Sequence, residues 1–368
     1  MKTHEKVREP LFHIVKRDGI VWWKSWLIRI AAVVAALLFS GVVSYLLTGQ
    51  NPIEIYKTMW DGAFGTERRT WNLLQALAML LCVSLAVTPA FKMRFWNIGA
   101  EGQALIGGFA AAALMLKIGD KLPNSLLLPL MVIASMLVGA VWAVIPAIFK
   151  AKWGTNETLF TLMMNYIAIQ IVSYFVYIWA VPAGSGQIGT INAKTHAGWL
   201  PEIGGQKYLL NILIVLGLTV LMYIYLKYSK HGYEISVVGE SENTARYIGI
   251  NVNKVILRTM IISGALCGVA GFLLVSGADH SITANTIDGR GFTAIMVSWL
   301  AKFNPITMLL TSFVIVFLEK GATEIATTMQ LNHAFSDIIT GIIIFFIIGS
   351  EFFINYAIKF REKEEKAK

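Results

Sequence analysis

Apolar stretches close to twenty residues long recur along almost the whole chain, and they constrain its fold more than any other feature. A helix rises about 1.5 Å per residue, so each stretch is long enough to cross roughly 30 Å of hydrocarbon. Inside a bilayer the backbone must satisfy its own hydrogen bonds, which selects helices for segments of this kind. Ten helices are expected, at about 26–48, 71–89, 97–116, 124–148, 157–181, 208–226, 257–276, 291–301 (short), 305–326 and 334–354. The expected fold class is an all-α polytopic transmembrane helical bundle of about ten spans. Only 14% of the 368 residues are charged, against about 25% in soluble proteins, and no interval between the runs could fold as a separate soluble domain. The expected organisation is a basic, amphipathic cytoplasmic segment at 1–25, a membrane domain at 26–354 and a charged cytoplasmic tail at 355–368.

The net charge of +9 raises the question of nucleic acid, but the placement of the charges answers it. With the N-terminus inside, 21 of the 31 Lys and Arg residues fall in inside segments and 8 outside, among them Arg290. This is the positive-inside pattern, which places both termini in the cytoplasm and makes the partner a lipid bilayer, not nucleic acid. Cys82 and Cys267 lie within apolar runs and read as buried thiols. The first span lacks a small-x-small cleavage pattern and reads as a retained anchor. Residues 11–30 mix basic residues with tryptophans, as does either a helix in the headgroup layer or an ordinary basic flank with an aromatic belt. A short helix is expected within 51–70, and 182–206 reads as an irregular external loop.

Bond chemistry has nothing to stand on. The chain contains no Gly-x-x-x-x-Gly-Lys-[Ser/Thr] phosphate loop, no Gly-x-Ser-x-Gly and no His-Glu-x-x-His, and its six histidines have no metal-ligand spacing. No catalytic residue, cofactor or metal is expected.

Two kinds of segment stand out instead. Residues 227–256 form a charged, glycine-punctuated cytoplasmic loop in which 239–251 reads as a short helix closed by Gly249. A protruding element of this kind suits docking to a soluble motor. Ala245 and Gly249, four apart, would give a small-residue face, with Glu240 and Arg246 left to pair with motor charges. The second kind is polar at membrane depth: Asn97, Glu101 and Gln103 at the start of one run, and Thr161 with Asn165 in another. Such residues usually face a bundle interior or a water-filled path. Asn97 and Glu101, four apart, would share a helix face. Either a translocation path (Asn97, Glu101, Gln103, Asn165) or a hydrogen-bonded clamp between helices accounts for them. Gly264, Gly268 and Gly271 read as a tight packing face, and residues 288–291 as a re-entrant entry.

In order along the chain, Asn97-Ile98-Gly99-Ala100-Glu101-Gly102-Gln103, Asn156-Glu157 with Asn165-Tyr166, Ala245-Arg246-Tyr247-x-Gly249-Ile250-Asn251, Ser263-Gly264-Ala265-Leu266-x-Gly268-x-Ala270-Gly271, Gly291-Phe292-x-x-Ile295-x-Val297 and Asn304-Pro305 resemble the permease subunits of bacterial ABC importers of the branched-chain amino acid/ribose/nucleoside type. Within that group the chain looks most like nucleoside permeases, with sugar permeases next. The resemblance implies a multi-pass protein of the bacterial cell membrane that moves a small polar solute by alternating access. It implies two cytoplasmic ATP-binding subunits docked around Glu240, Ala245, Arg246, Gly249 and Ile250, a second, related permease subunit, and an extracytoplasmic substrate-binding lipoprotein. Ser241-Glu242-Asn243 departs from the proline-containing stretch common in related sequences. The rival reading is an ion- or proton-coupled secondary transporter with Glu101 as its titrating group. A scaffold without a path would leave the polar residues at depth unused.

Overall fold

The computed structural model describes residues 12–17, 19–49, 51–182 and 185–360. In chain order its elements are β1 (Phe12–Lys16), α1 (Trp22–Thr48), α2 (Pro52–Phe64), α3 (Glu67–Lys92), α4 (Ala100–Ile118), α5 (Asn124–Trp153), α6 (Glu157–Trp179), α7 (Leu209–Tyr228), α8 (Lys230–Glu240), α9 (Glu242–Tyr247), α10 (Val252–Leu274), α11 (Arg290–Leu300), α12 (Pro305–Thr328), α13 (His333–Asn355) and β2 (Tyr356–Phe360). Helix starts are set by side-chain caps: Thr66, Asn156, Ser229, Ser241, Asn251 and Asn332 each accept a first-turn N–H. Gly49 and Gly154 end α1 and α5 in the left-handed region, at φ 68° and 63°.

Among the described residues, nine helices are long and apolar enough to cross a membrane. The tenth expected span is α11, whose 11 residues extend only about 16 Å, half the hydrocarbon thickness. The chain divides into two compact units, residues 1–65 with 318–368 and residues 66–317.

In the first unit α1 and α13 run antiparallel, joined by the Arg29–Glu351 ion pair at 2.6 Å and by the Phe39–Phe346 ring contact. β1 and β2 pair antiparallel, with Phe12 opposite Phe360 and Lys16 opposite Tyr356, and so bring both flanks of the hairpin to one face. This pairing departs from the all-α expectation and from the helix within 11–30. The Phe-His-Ile-Val-Lys run is five residues long, too short to show a period, and its partner lies at the other end of the chain. The short helix expected within 51–70 is α2.

The second unit is built around α3, α10 and α4, which are buried over 89, 78 and 61% of their apolar lengths, whereas α5, α6 and α7 reach 22, 33 and 28%. A seam of small residues lets α4 and α5 close on α10. A Cβ on Gly268 would lie 2.0 Å from the Ser135 carbonyl, and one on Gly271 2.0 Å from that of Ala104. Gly107 and Gly139 lean on the same stretch from the other side. Without a hydrophobic drive between helices in lipid, such close backbone approach supplies much of the association. No regular element occupies the described part of 182–206.

Candidate functional site

The polar residues at depth form one network. After α3 the chain turns through residues 93–99 before α4 begins at Ala100, so Asn97 lies outside the helix. The expectation that Asn97 and Glu101 share a helix face therefore fails, and the two point to different partners. Asn97 and Gln103 exchange two amide hydrogen bonds of 3.1 and 2.9 Å, and Asn97 Nδ2 also donates to Ser263 Oγ on α10 at 3.3 Å. Asn165 on α6 accepts from Gly102 N–H at 2.9 Å and donates to the Ile98 carbonyl at 2.8 Å. Thr161, one turn earlier, accepts from Ile98 N–H at 3.2 Å. Asn97, Gln103 and Asn165 are 0, 1 and 2% exposed.

Glu101 turns away from this cluster. Its two carboxylate oxygens accept the backbone N–H groups of Gly289 (2.9 Å) and Gly291 (2.7 Å), at the start of α11. A carboxylate at the positive end of a helix, bonded to groups that have no intrahelical partner, is a charge-assisted cap. Gly291 admits it because a Cβ there would lie 2.6 Å from the Glu101 nitrogen. At its far end α11 is tied to α3, with Ser298 Oγ donating to the Ser84 carbonyl at 3.0 Å, and to the turn that follows, with Trp299 stacked on Trp96 at 5.8 Å. Arg290, counted as external in the charge tally, thus stands at the head of a half-length helix pinned to the first turn of α4.

The loop 227–256 folds as α8 and α9, broken at Ser241, which caps α9 through its hydroxyl. The single helix expected over 239–251 is therefore two pieces. Ala245 is fully buried against the protein, while Gly249 closes the turn at φ 86°, so the two do not form an outward small-residue face. Glu240, Arg246 and Gly249 are exposed and Ile250 is half-buried; Arg246 lies 3.6 Å from Glu242. Sequence reasoning passed over Tyr247, 92% exposed, and its neighbour Ile248, 52% exposed. An aromatic residue within a charged loop was the available signal. The base of the loop rests on α3, where a Cβ on Gly239 would lie 2.1 Å from the Lys92 carbonyl. Burial pushes the His231 imidazole in α8 below its ordinary pKa, against the opposing charge of Glu234.

At the opposite end of the second unit the rings of His196, Trp199 and His280 stack in series, with centroids 4.3 and 3.7 Å apart. They border a cavity of about 510 Å³ that also meets Asn124, Glu202 and Lys207. The His280 carbonyl accepts from Ile191 N–H at 2.8 Å, tying the segment that follows α10 to the irregular loop. Burial, with Lys207 and His196 nearby, pushes the His280 pKa down to about 4.

Residues 69–348 match the family described as "Branched-chain amino acid transport system / permease component". Similar proteins include a glucose ABC transporter permease protein of Haloferax volcanii (28% identical; 93% of this chain, 92% of the relative). A guanosine ABC transporter permease protein of Bacillus subtilis is 29% identical over 91% of this chain and 94% of its own length. A second guanosine ABC transporter permease protein of that bacterium is 28% identical over 57% of this chain and 67% of its own length.

Proposed function

Since the chain belongs to the branched-chain amino acid transport system permease family, we propose that it is the membrane-spanning subunit of an ATP-driven importer for a nucleoside or, next, a simple sugar. The permeases of guanosine and glucose transporters that it resembles along most of its length support this substrate class. Two different permease proteins of one guanosine transporter organism both match, which supports pairing with a related second permease. The remaining partners are cytoplasmic ATP-binding subunits at the α8–α9 loop and an extracytoplasmic binding lipoprotein at the face carrying the His196–Trp199–His280 stack. The membrane is the bacterial cell membrane.

One observation carries the mechanism. Gly239 rests on the end of α3, and the chain that continues from there through Asn97 ends at Glu101, which holds α11. Motion of the α8–α9 loop is thereby transmitted through packed backbone to a half-length helix with two tethered ends. Ligands bias such an element only by binding its arrangements differently, which is the role of ATP in the motors and of solute in the path. Asn97, Gln103 and Asn165, fully buried, stand behind the path as the frame on which Glu101 and α11 shift. Glu240, Ala245, Arg246, Gly249 and Ile250 couple the motors, Ala245 from beneath as the loop's buried foot. The proton-coupled alternative is not favoured, because the family match and the ABC transporter permeases that the chain resembles support an ATP-driven system.

The test uses Arg246→Glu and Tyr247→Ala in the complete complex. An exposed Arg or Tyr that anchors an interface is worth about 2 kcal/mol, roughly thirtyfold in affinity. ATPase subunits should dissociate correspondingly more readily and solute uptake should fall with them. Uptake that persists with no ATPase bound to the chain sinks the importer reading.

A further inference from the structure

The link between α10 and α11, residues 281–289, is polar, lacks helix and is in large part exposed: Thr283, Asn285, Asp288 and Gly289 all face outward, while Ile282 and Ile287 anchor it at 0 and 1% exposure. Its depth follows from its two ends. It begins beside His280, where the span Val252–Asp279 finishes, and it ends on Glu101. Glu101 adjoins the Asn97–Gln103 pair, and Asn97 touches Ser263, near the middle of that same span. The link therefore runs from the end of that span toward its middle, through turns closed by Thr286 N–H on the Thr283 carbonyl and Arg290 N–H on the Ile287 carbonyl.

Irregular backbone does not face lipid at this depth, because nothing there satisfies its polar groups; it is either buried or lines a water-filled cavity. Thr283, Asn285, Asp288, Gly289 and Phe292 are not buried in the second unit. We infer that the exposed side of residues 281–293 lines the solute route, with Asn285, Asp288, Phe292 and Thr293 as its contact side chains and Glu101 as the positioning residue that holds them there. The inference rests on the importer reading and adds the place and the chemistry of recognition. Asp288 and Arg290 carry opposite charges two positions apart, so this wall presents no net charge. Amide, hydroxyl and carboxylate groups beside the half-exposed Phe292 ring, 46% exposed, suit a neutral ring bearing several hydroxyls, such as the sugar of a nucleoside.

The experiment places single cysteines at Asn285→Cys and Asp288→Cys, with Phe292→Cys as a third site should either fail to assemble, and Leu221→Cys on exposed α7 as the lipid-facing control. Native Cys82 and Cys267 are buried and give little background. The complete complex, first shown to retain its ATPase subunits and to import, is reconstituted and treated with a membrane-impermeant maleimide. Thiolate supply falls tenfold for each unit by which an apolar setting raises a thiol pKa, so the link cysteines should react about tenfold or more faster than Leu221→Cys. Excess guanosine or glucose should remove most of that difference. Link cysteines that react no faster than the control, that react with no maleimide in either nucleotide state, or that ignore both solutes overturn the inference. In each case an importing complex leaves the broader reading intact, whereas loss of ATPase and uptake in the unmodified complex strikes that reading alone.

Discussion

Glu101 shows how a single side chain can hold an element in place. Each hydrogen bond to a charged group is worth about 1.5–3 kcal/mol, and this carboxylate accepts two from the head of α11. Glu101→Gln keeps the shape but loses the charge and one good acceptor, so the purified protein should lose about 2 kcal/mol of stability together with uptake. Thermal unfolding in detergent checks it. Unchanged stability with abolished uptake would instead revive the proton-carrier role. His280 supplies a residue-scale pH effect, because burial against the Trp199 ring lowers its pKa from 6.5 to about 4. Through that window the unfolded chain binds the proton and the folded one does not, so stability rises with pH and is lost on acidification. His280→Asn should flatten the dependence of the unfolding midpoint on pH between those limits, and an unaltered slope would assign it elsewhere. The sequence marked Glu101 as a costly acid at depth but could not name its partner, which lies 190 positions away at Gly291. The shared face with Asn97 failed for a local reason: Asn97 Oδ1 accepts from Gly99 N–H, and that turn delays the helix to Ala100.

Among the elements, α10 is the most demanding of small residues. Gly268→Ala and Gly271→Ala each push a methyl into backbone of α5 or α4, and overpacking of this kind costs about 1–3 kcal/mol or more. Gly217 in α7 and Gly341 in α13 meet nothing within 4 Å, so Gly217→Ala and Gly341→Ala should be neutral or gain up to about 1 kcal/mol from helix propensity. Unfolding midpoints of the four variants should divide into these two pairs; a loss at Gly217 equal to that at Gly268 would refute the seam. This face was readable in advance because glycines at helical spacing in an apolar run carry a single structural meaning. The α8–α9 loop was readable as a protrusion but not in its orientation. Ala245 looked outward on spacing alone, whereas the Ser241 cap starts a new helix and turns Ala245 inward. Tyr247 is consequently a cleaner probe of docking than Gly249, where any side chain is strained at φ 86°. The shortness of α11 was legible in its sequence, but its direction depended on the unseen carboxylate.

For the molecule as a whole, long apolar runs and asymmetric Lys and Arg placement made the class of fold legible, because lipid leaves so few alternatives. The pairing of β1 with β2 was not legible, yet it bears on topology, since it places both flanks of the α1–α13 hairpin on one face. Tags fused at the two ends should therefore be cleaved together, by protease supplied on the same side of the membrane; cleavage of one without the other would contradict the pairing. The same arrangement has a consequence in time. Arg29 and Glu351 are 322 positions apart, and at about 5–20 residues per second the ribosome needs roughly 15–60 s to make the second after the first. The contiguous unit 66–317 can assemble during that interval, whereas α1 must remain in the bilayer without α13 until synthesis is nearly complete. A chain stalled before residue 333 would thus leave to lipid the face of α1 that α13 covers in the finished protein.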